Sequence, residues 1–451
     1  TKRAETTNTG FNVVGALTIN GSPLAGGVSS DAQNNTLAGT GPGDNFSGTN
    51  ASGNTLVGKE AGKYITTGDN NTIVGLQNAH GVTTGSKNTI VGSGVGSDGT
   101  TTTRVYEGNT FIGHNMAQSV TSGSYNIAIG KGAANDLTTG NDNIYMGTSA
   151  GSSAAGASKQ LGIGEDALKN CTATTQNIGI GYKAGRSTTS GNKNIYIGYQ
   201  AGYNNTGSTQ NTFIGYEAGY NALREECTAV GYYSSRYTNG IGNTFLGNRA
   251  GVGNSGHSGL SSYNTGIGNG VFVSLAGGAS NNTSVGNSTG VYLSTGDRNT
   301  FVGDVAGQNV TTGSNNLLLG HDAGTSNSPT GNLTTTSNYC CLGDNNIDTV
   351  YSAGTFYTPS DKRDKTDVAN FTHGLSWINK LNPVTYRWDR RTWYNEYNED
   401  GSLKTEGTPD GSKKRARQHI GFLAQDVLAI EQADGFASKK DDMLVVNLNE
   451  D

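Results

Sequence analysis

The sequence predicts a mostly β protein: a rod built as a β-roll or β-solenoid of stacked 17-residue repeats, homotrimeric, followed by a small α+β C-terminal domain. Three observations predict this. A glycine that closes a short apolar-x-apolar run recurs from Gly58 to Gly343, most often at steps of 17 residues. Turn-forming Gly, Asn, Thr and Ser flank each run. Composition then changes sharply beyond about residue 344. A fixed period of this size signals a stacked-repeat architecture.

The cleanest repeat is Asn299–Asn315, NTFVGDVAGQNVTTGSN. Runs such as Ile195–Ile197 and Thr212–Ile214 alternate as strands do, with one face to bury and one to show. They are too short for helices, and their flanks are turn chemistry. Glycine permits the sharp bend, and Asn tolerates left-handed backbone while bonding its neighbours. One rung buries only about three or four apolar groups, so it needs neighbours stacked at about 4.8 Å. Rungs at that spacing make a rod of roughly 80 Å. Asn stands four residues before the glycine in most rungs, from Asn54 to Asn316, with Gln160, Cys227 and Tyr339 as substitutes. Stacked amides of this kind are expected to bond from rung to rung.

Hydrophobic residues make up only 33% of the 451 residues, and 70 are glycine. So thin a core predicts burial completed between chains, most simply in a trimer of rods. Register kept over so many repeats argues against disorder. The net charge of −5 and the lack of a basic stripe exclude nucleic acid as an expected partner. No apolar run is long enough to insert in a membrane, and no signal peptide opens the chain. Cys171, Cys227, Cys340 and Cys341 lack disulfide-framework or zinc spacing, which predicts reduced interior thiols. His80, His114, His257 and His321 are scattered, so no metal site and no cofactor are expected.

Residues 1–53 read as an opening β segment with a turn at Asn20-Gly21, and an upstream attachment region is expected before its abrupt start. Residues 54–344 are the repeat rod. The residue after the glycine is tyrosine in four successive rungs, Tyr182, Tyr199, Tyr216 and Tyr232, and Tyr203 and Tyr220 add a shorter file. Exposed aromatic files suit self-stacking, and they are also candidates for stacking on the sugar rings of a receptor. Residues 99–107 and 253–263 fall within the two 21-residue steps and are expected to bulge outward as loops. Residues 345–359 read as a linker. Beyond it, residues 361–451 carry 30 charged side chains and only 6 glycines, with all three tryptophans. There, Gly374–Leu381 has helical spacing ahead of Asn382-Pro383, and Val384–Trp388 reads as a strand. Residues 389–418 form a polar insertion or hairpin, and His419–Leu423 leads into a helix from about Ala424 to Glu431.

Three blocks in this last part, Ser360–Lys365 (SDKRDK), Leu381–Trp388 (LNPVTYRW) and His419–Val427 (HIGFLAQDV), resemble the intramolecular chaperone domain of phage tail fibres and tailspikes, the self-cleaving S74 peptidase family. The resemblance covers residues 360–451, a stretch that ends where relatives are expected to continue into bundling helices. The upstream repeats are similar to viral fibre repeats and to the head repeats of trimeric autotransporter adhesins. The resemblance implies a trimeric folding aid that cuts itself away once, as a serine endopeptidase, at the Pro359–Ser360 bond. Ser360 is then the nucleophile and Lys365 its base, a dyad that works if desolvation lowers the lysine pKa. It further implies a virion tail-fibre protein assembled in the host cytoplasm. Its partners would be other tail proteins and a host cell-surface glycan or protein receptor. The alternatives are a tailspike depolymerase acting on host polysaccharide, which needs paired carboxylates the repeats lack, and a cellular trimeric adhesin.

Overall fold

The computed structural model describes residues 5–7, 10–12, 18–19, 22–23, 28–47, 50–96, 103–255, 260–350, 366, 374–397 and 403–435. They fall into two compact units: Thr1–Ser326 with Asn332–Leu342, and Asn327–Gly331 with Gly343–Asp451.

The first unit is a β-solenoid with one short strand per turn. Among the described residues, eighteen strands from Thr36–Ala38 to Cys340–Leu342 each pair in parallel with the next. Register is strict, as in Ile195↔Thr212, Tyr196↔Phe213 and Ile197↔Ile214. The stack begins one rung before Asn54, because the NTLAG phrase at Asn35–Gly39 folds as a full rung despite its longer step to the next glycine. The short strands Thr18–Ile19 and Ser22–Pro23 pair across the expected Asn20-Gly21 position.

The glycine after each strand explains why the phrase cannot drift. At Gly198 the backbone has φ +130°, and a Cβ there would sit 2.4 Å from the carbonyl oxygen of Gly215, the same position one rung on. Backbone meets backbone, so no side-chain rearrangement relieves the contact. The turn that follows returns the chain through further left-handed positions, several held by non-glycine residues such as Lys183 (φ 56°) and Lys193 (φ 58°). Each costs about 1–2 kcal/mol, and only repeated packing on both neighbours sustains them.

Inside, the middle residue of each strand is buried, while the first and third are half-buried or exposed, as strand alternation requires. Volume is shared between rungs. Tyr145 fills the space left by Gly162, and Leu168 the space left by Gly179. Of the expected outward loop at residues 99–107, residues 99–102 lie outside the described set, and the remainder does not simply bulge outward. Arg104 and Tyr106 are fully buried, and Arg104 bridges Val82 and donates from Nη1 to the carbonyl of Gly96 (3.3 Å) and to that of Gln118 (2.5 Å). The returning turn still has to fill its share of the core, and these side chains fill it. In the second long step, Ser261 is likewise buried and Leu260 exposed, with residues 256–259 outside the described set. Cys171, Cys227 and Cys341 are buried free thiols, whereas Cys340 is exposed, contrary to the expected interior role.

The amide ladder runs along the core. Asn194 donates from its backbone nitrogen (3.0 Å) and from Nδ2 (3.1 Å) to Oδ1 of Asn177, and from Nδ2 to the carbonyl of Ser208 (2.9 Å). Its own Oδ1 accepts from the nitrogen of Asn211 at 3.0 Å. Every polar atom of the buried amide is therefore used, and the ladder extends back to Asn35. It is interrupted at Cys227. The single Cys227 thiol proton lies between the carbonyls of Gly240 (3.0 Å) and Glu225 (3.3 Å), Asn211 Oδ1 accepts from the Cys227 backbone nitrogen but from no amide side chain, and Asn211 Nδ2 is also buried without a partner.

In the second unit, Val384–Tyr386 pairs antiparallel with His419–Gly421, joining two of the sequence blocks quoted above. The polar insertion between them holds a 3-10 turn at Arg391–Tyr394 and a hairpin of Glu396–Tyr397 with Leu403–Thr405. Helices occupy Gly374–Ile378 and Ala424–Ala433, the latter burying Val427 and Glu431. Lys380 Nζ binds both carboxylate oxygens of Asp434 at 2.8 Å, tying one helix end to the other.

Two substitutions test the rod. Gly198→Ala is expected to cost on the order of 3–5 kcal/mol in urea unfolding. Gly207→Ala, where a Cβ meets only Ser190 Oγ at 3.3 Å, is expected to be mild. Equal costs at both sites would refute the close-approach argument. Cys227→Asn restores the missing amide and is expected to stabilise the rod by about 1 kcal/mol; a destabilised variant would show that the gap is not the defect proposed.

Candidate functional site

The tyrosine files predicted on the rod surface are present as continuous stacks. Ring centroids of Tyr182 and Tyr199 lie 5.1 Å apart, those of Tyr199 and Tyr216 4.8 Å, and those of Tyr216 and Tyr232 5.4 Å, all near parallel. Tyr233 tilts against Tyr216 and Tyr232. In the second file, Tyr203 and Tyr220 stack at 5.2 Å, and guanidinium groups of Arg186 and Arg236 lie over the two ends at 5.8 and 5.9 Å. Arg236 also pairs with Glu217 at 2.5 Å. Rung spacing dictates the stacking, since one tyrosine per turn repeats at about the thickness of an aromatic ring plus contact. A ligand approaching these files therefore meets ring edges and hydroxyls, because the interior faces are occupied by neighbouring rings.

The second unit gathers a basic, aromatic-walled cavity of about 360 Å³. Its walls are Trp388, Trp393, Arg390, Arg415, Arg417 and His419, and Asp348, Thr349 and Val350 also line it. The strand pairing Tyr386↔His419 places Trp388 and His419 at one end, and Tyr386 stacks on His419 with centroids 5.5 Å apart. Arg390 lies over Trp388 at 5.1 Å and Arg415 over Trp393 at 4.8 Å, both cation–π contacts. The Arg415 backbone nitrogen donates to the carbonyl of Trp388 at 2.9 Å. Its side chain forms an ion pair with Asp348. None of this cavity was anticipated as a site from sequence. Its one available signal was the clustering of all three tryptophans with arginines in a chain otherwise poor in both.

Pro359, Ser360 and Lys365 lie outside the described residues. Among the described residues no group of three His, Cys, Asp or Glu is placed to hold a metal ion, and no helix is long and apolar enough to cross a membrane.

Residues 360–436 match the S74 peptidase family, described as the chaperone of endosialidase. That match begins at Ser360 and spans all three quoted blocks. Among curated proteins, none matches this chain. A chaperone-of-endosialidase segment after a β-solenoid rod is consistent with tail-fibre or tailspike architecture.

The tyrosine files have a measurable structural share. Tyr199→Ala removes two stacked neighbours and is expected to cost roughly 1–3 kcal/mol. Tyr199→Phe, which keeps the ring, is expected to stay within about 0.5 kcal/mol of the parent in urea titration. A Phe variant as unstable as Ala would mean that the hydroxyl, not the stack, holds the file.

Proposed function

We propose that the chain is a trimeric tail-fibre or tailspike-like protein of a virion. Its C-terminal unit brings three rods into phase and then cuts itself away at the Pro359–Ser360 bond. The observation that carries this reading is the outward face of the rod. The third strand position is apolar in all eighteen rungs, from Ala38 through Ile112, Ile197 and Val302 to Leu342. Members such as Ile112, Met146, Ile267 and Val302 are exposed in the single chain. From Ile127 to Ile195 the first position is apolar as well. An uninterrupted apolar file of this length marks an interaction surface. An object that matches it rung for rung must share its period, and further copies of the same rod do. The C-terminal unit, too, leaves large apolar side chains uncovered, Ile420 and Leu375 among them.

The cleavage chemistry is the one that the family resemblance implies. Lys365, as the base, takes the proton from Ser360 Oγ as the oxygen attacks the Pro359 carbonyl carbon. The proton passes to the Ser360 nitrogen as the amide bond breaks, and water hydrolyses the resulting ester to a Pro359 carboxylate. Host attachment through a cell-surface glycan or protein receptor, with the edges of the tyrosine files as the contact, completes the proposed role. The absence of a paired-carboxylate signature in the repeats favours attachment over depolymerisation.

Denaturing and native mass spectrometry of the parent and of Ser360→Ala test this. The expected result is a parent cut before Ser360, an uncut variant and a native trimer in both. A native monomer overturns the fibre reading, and a cut Ser360→Ala chain overturns the nucleophile.

A further inference from the structure

We propose that the cavity of the C-terminal unit is a clamp for the linker, holding residues Asp348–Val350 so that the C-terminal fragment stays attached after the chain is cut. The inference rests on the proposed cut at Pro359–Ser360 only for its biological timing. The clamp itself is a contact between two stretches of this chain that lie on either side of that bond.

The linker segment Asp348-Thr349-Val350 carries one carboxylate, and the cavity it lines is basic. Arg415 takes the Asp348 carboxylate. The guanidinium lies over the Trp393 ring, and the backbone of Arg415 is fixed by its hydrogen bond to the carbonyl of Trp388. Arg390, Arg417 and His419 make the surrounding wall basic, and Trp388, Trp393 and residues 348–350 line the same cavity. Arg390 and Arg417 lie on the same insertion as Arg415, so the insertion is the arm of the clamp. An arginine fixed over an aromatic ring is pre-organised to bind a carboxylate, losing less freedom on pairing than a free one.

Both members of the ion pair are partly exposed, at 52% for the Asp348 side chain and 31% for Arg415. A pair of that kind is weak and salt-screened. The clamp is therefore a reversible hold. In the trimer proposed above, three such contacts would add up by effective concentration, so that loss of all three together becomes slow. Hydrolysis of the main chain removes the covalent link, and the clamp then sets how long the fragment lingers.

The test uses the full chain with Ser360→Ala, which removes self-cleavage, and a sequence-specific protease site substituted within residues 351–358. After the added protease cuts the chain, size-exclusion chromatography reports whether the two fragments travel together, at about 50 mM and about 500 mM salt. The expected result is co-elution at low salt and separation at high salt. Arg415→Gln and Asp348→Asn, each shown folded by circular dichroism, should release the fragment at least tenfold faster at low salt. The charge-swapped pair Asp348→Arg with Arg415→Asp should restore retention. Immediate separation of the parent fragments, or singly substituted chains that retain the fragment as the parent does, overturns the clamp. Because the cut is made by an added protease, failure of Ser360 as a nucleophile is scored separately, by mass spectrometry of the chain that keeps Ser360.

Discussion

Much of the rod follows from how closely one turn of backbone approaches the next at its glycine file. With the carbonyl of Gly215 where a Cβ of residue 198 would be, no other residue fits, and the spacing of turns is set by main-chain contact rather than by side-chain choice. Once that spacing is fixed, an amide placed at one position per turn lies within hydrogen-bonding reach of its equivalents above and below. Asn meets both demands of the site: its Oδ1 accepts two bonds from the following turn, and its Nδ2 gives two. The ladder is thus a consequence of the glycine file, and it satisfies donors that a solenoid core would otherwise bury at a cost of about 1–3 kcal/mol each.

The same regularity creates a difficulty. Rungs of near-identical sequence can pair one turn out of place with little penalty, because a slip exchanges one Asn for another and one apolar residue for a similar one. The core carries a partial remedy in its uneven volumes, since Tyr145 fills the space left by Gly162 and a side chain added at that glycine would meet its ring. Between chains, the outward apolar file has no such code. A C-terminal unit with the proposed trimerising role would answer that need by aligning the chain ends before the rungs zip together.

The strand positions, the glycine file and the amide ladder were legible in the sequence because each is a local pattern repeated many times. What was not legible depends on context at a single rung. Residues 99–107 look like a loop by length, yet Arg104 and Tyr106 turn inward because the rung still lacks core volume. The exposure of Cys340 beside buried Cys341 follows from strand alternation at the last rung, once its register is known. The Asp348–Arg415 pair joins residues remote in sequence, and nothing in either neighbourhood announces the other. Ser360 and Lys365 were readable only through family resemblance. By composition alone the segment is a charged turn.

The two ladders of the rod, one inside and one outside, meet at the rung that carries Cys227. There the interior chain of amides is broken, and the steps on both sides shorten to 16 residues. On the surface the same rung is clasped most heavily. Tyr232 and Tyr233 both lie against Tyr216 of the preceding rung, and Arg236 reaches back to pair with Glu217 and to cover the ring of Tyr220. A stacked solenoid is held by nearest-neighbour contacts, so a rung that loses interior bonds must gain exterior ones or become the place where the rod opens. The tyrosine–arginine cluster supplies those contacts where the amide ladder does not. The Tyr216–Arg236 end of the file thus adds surface contacts at the rung where the interior ladder is broken.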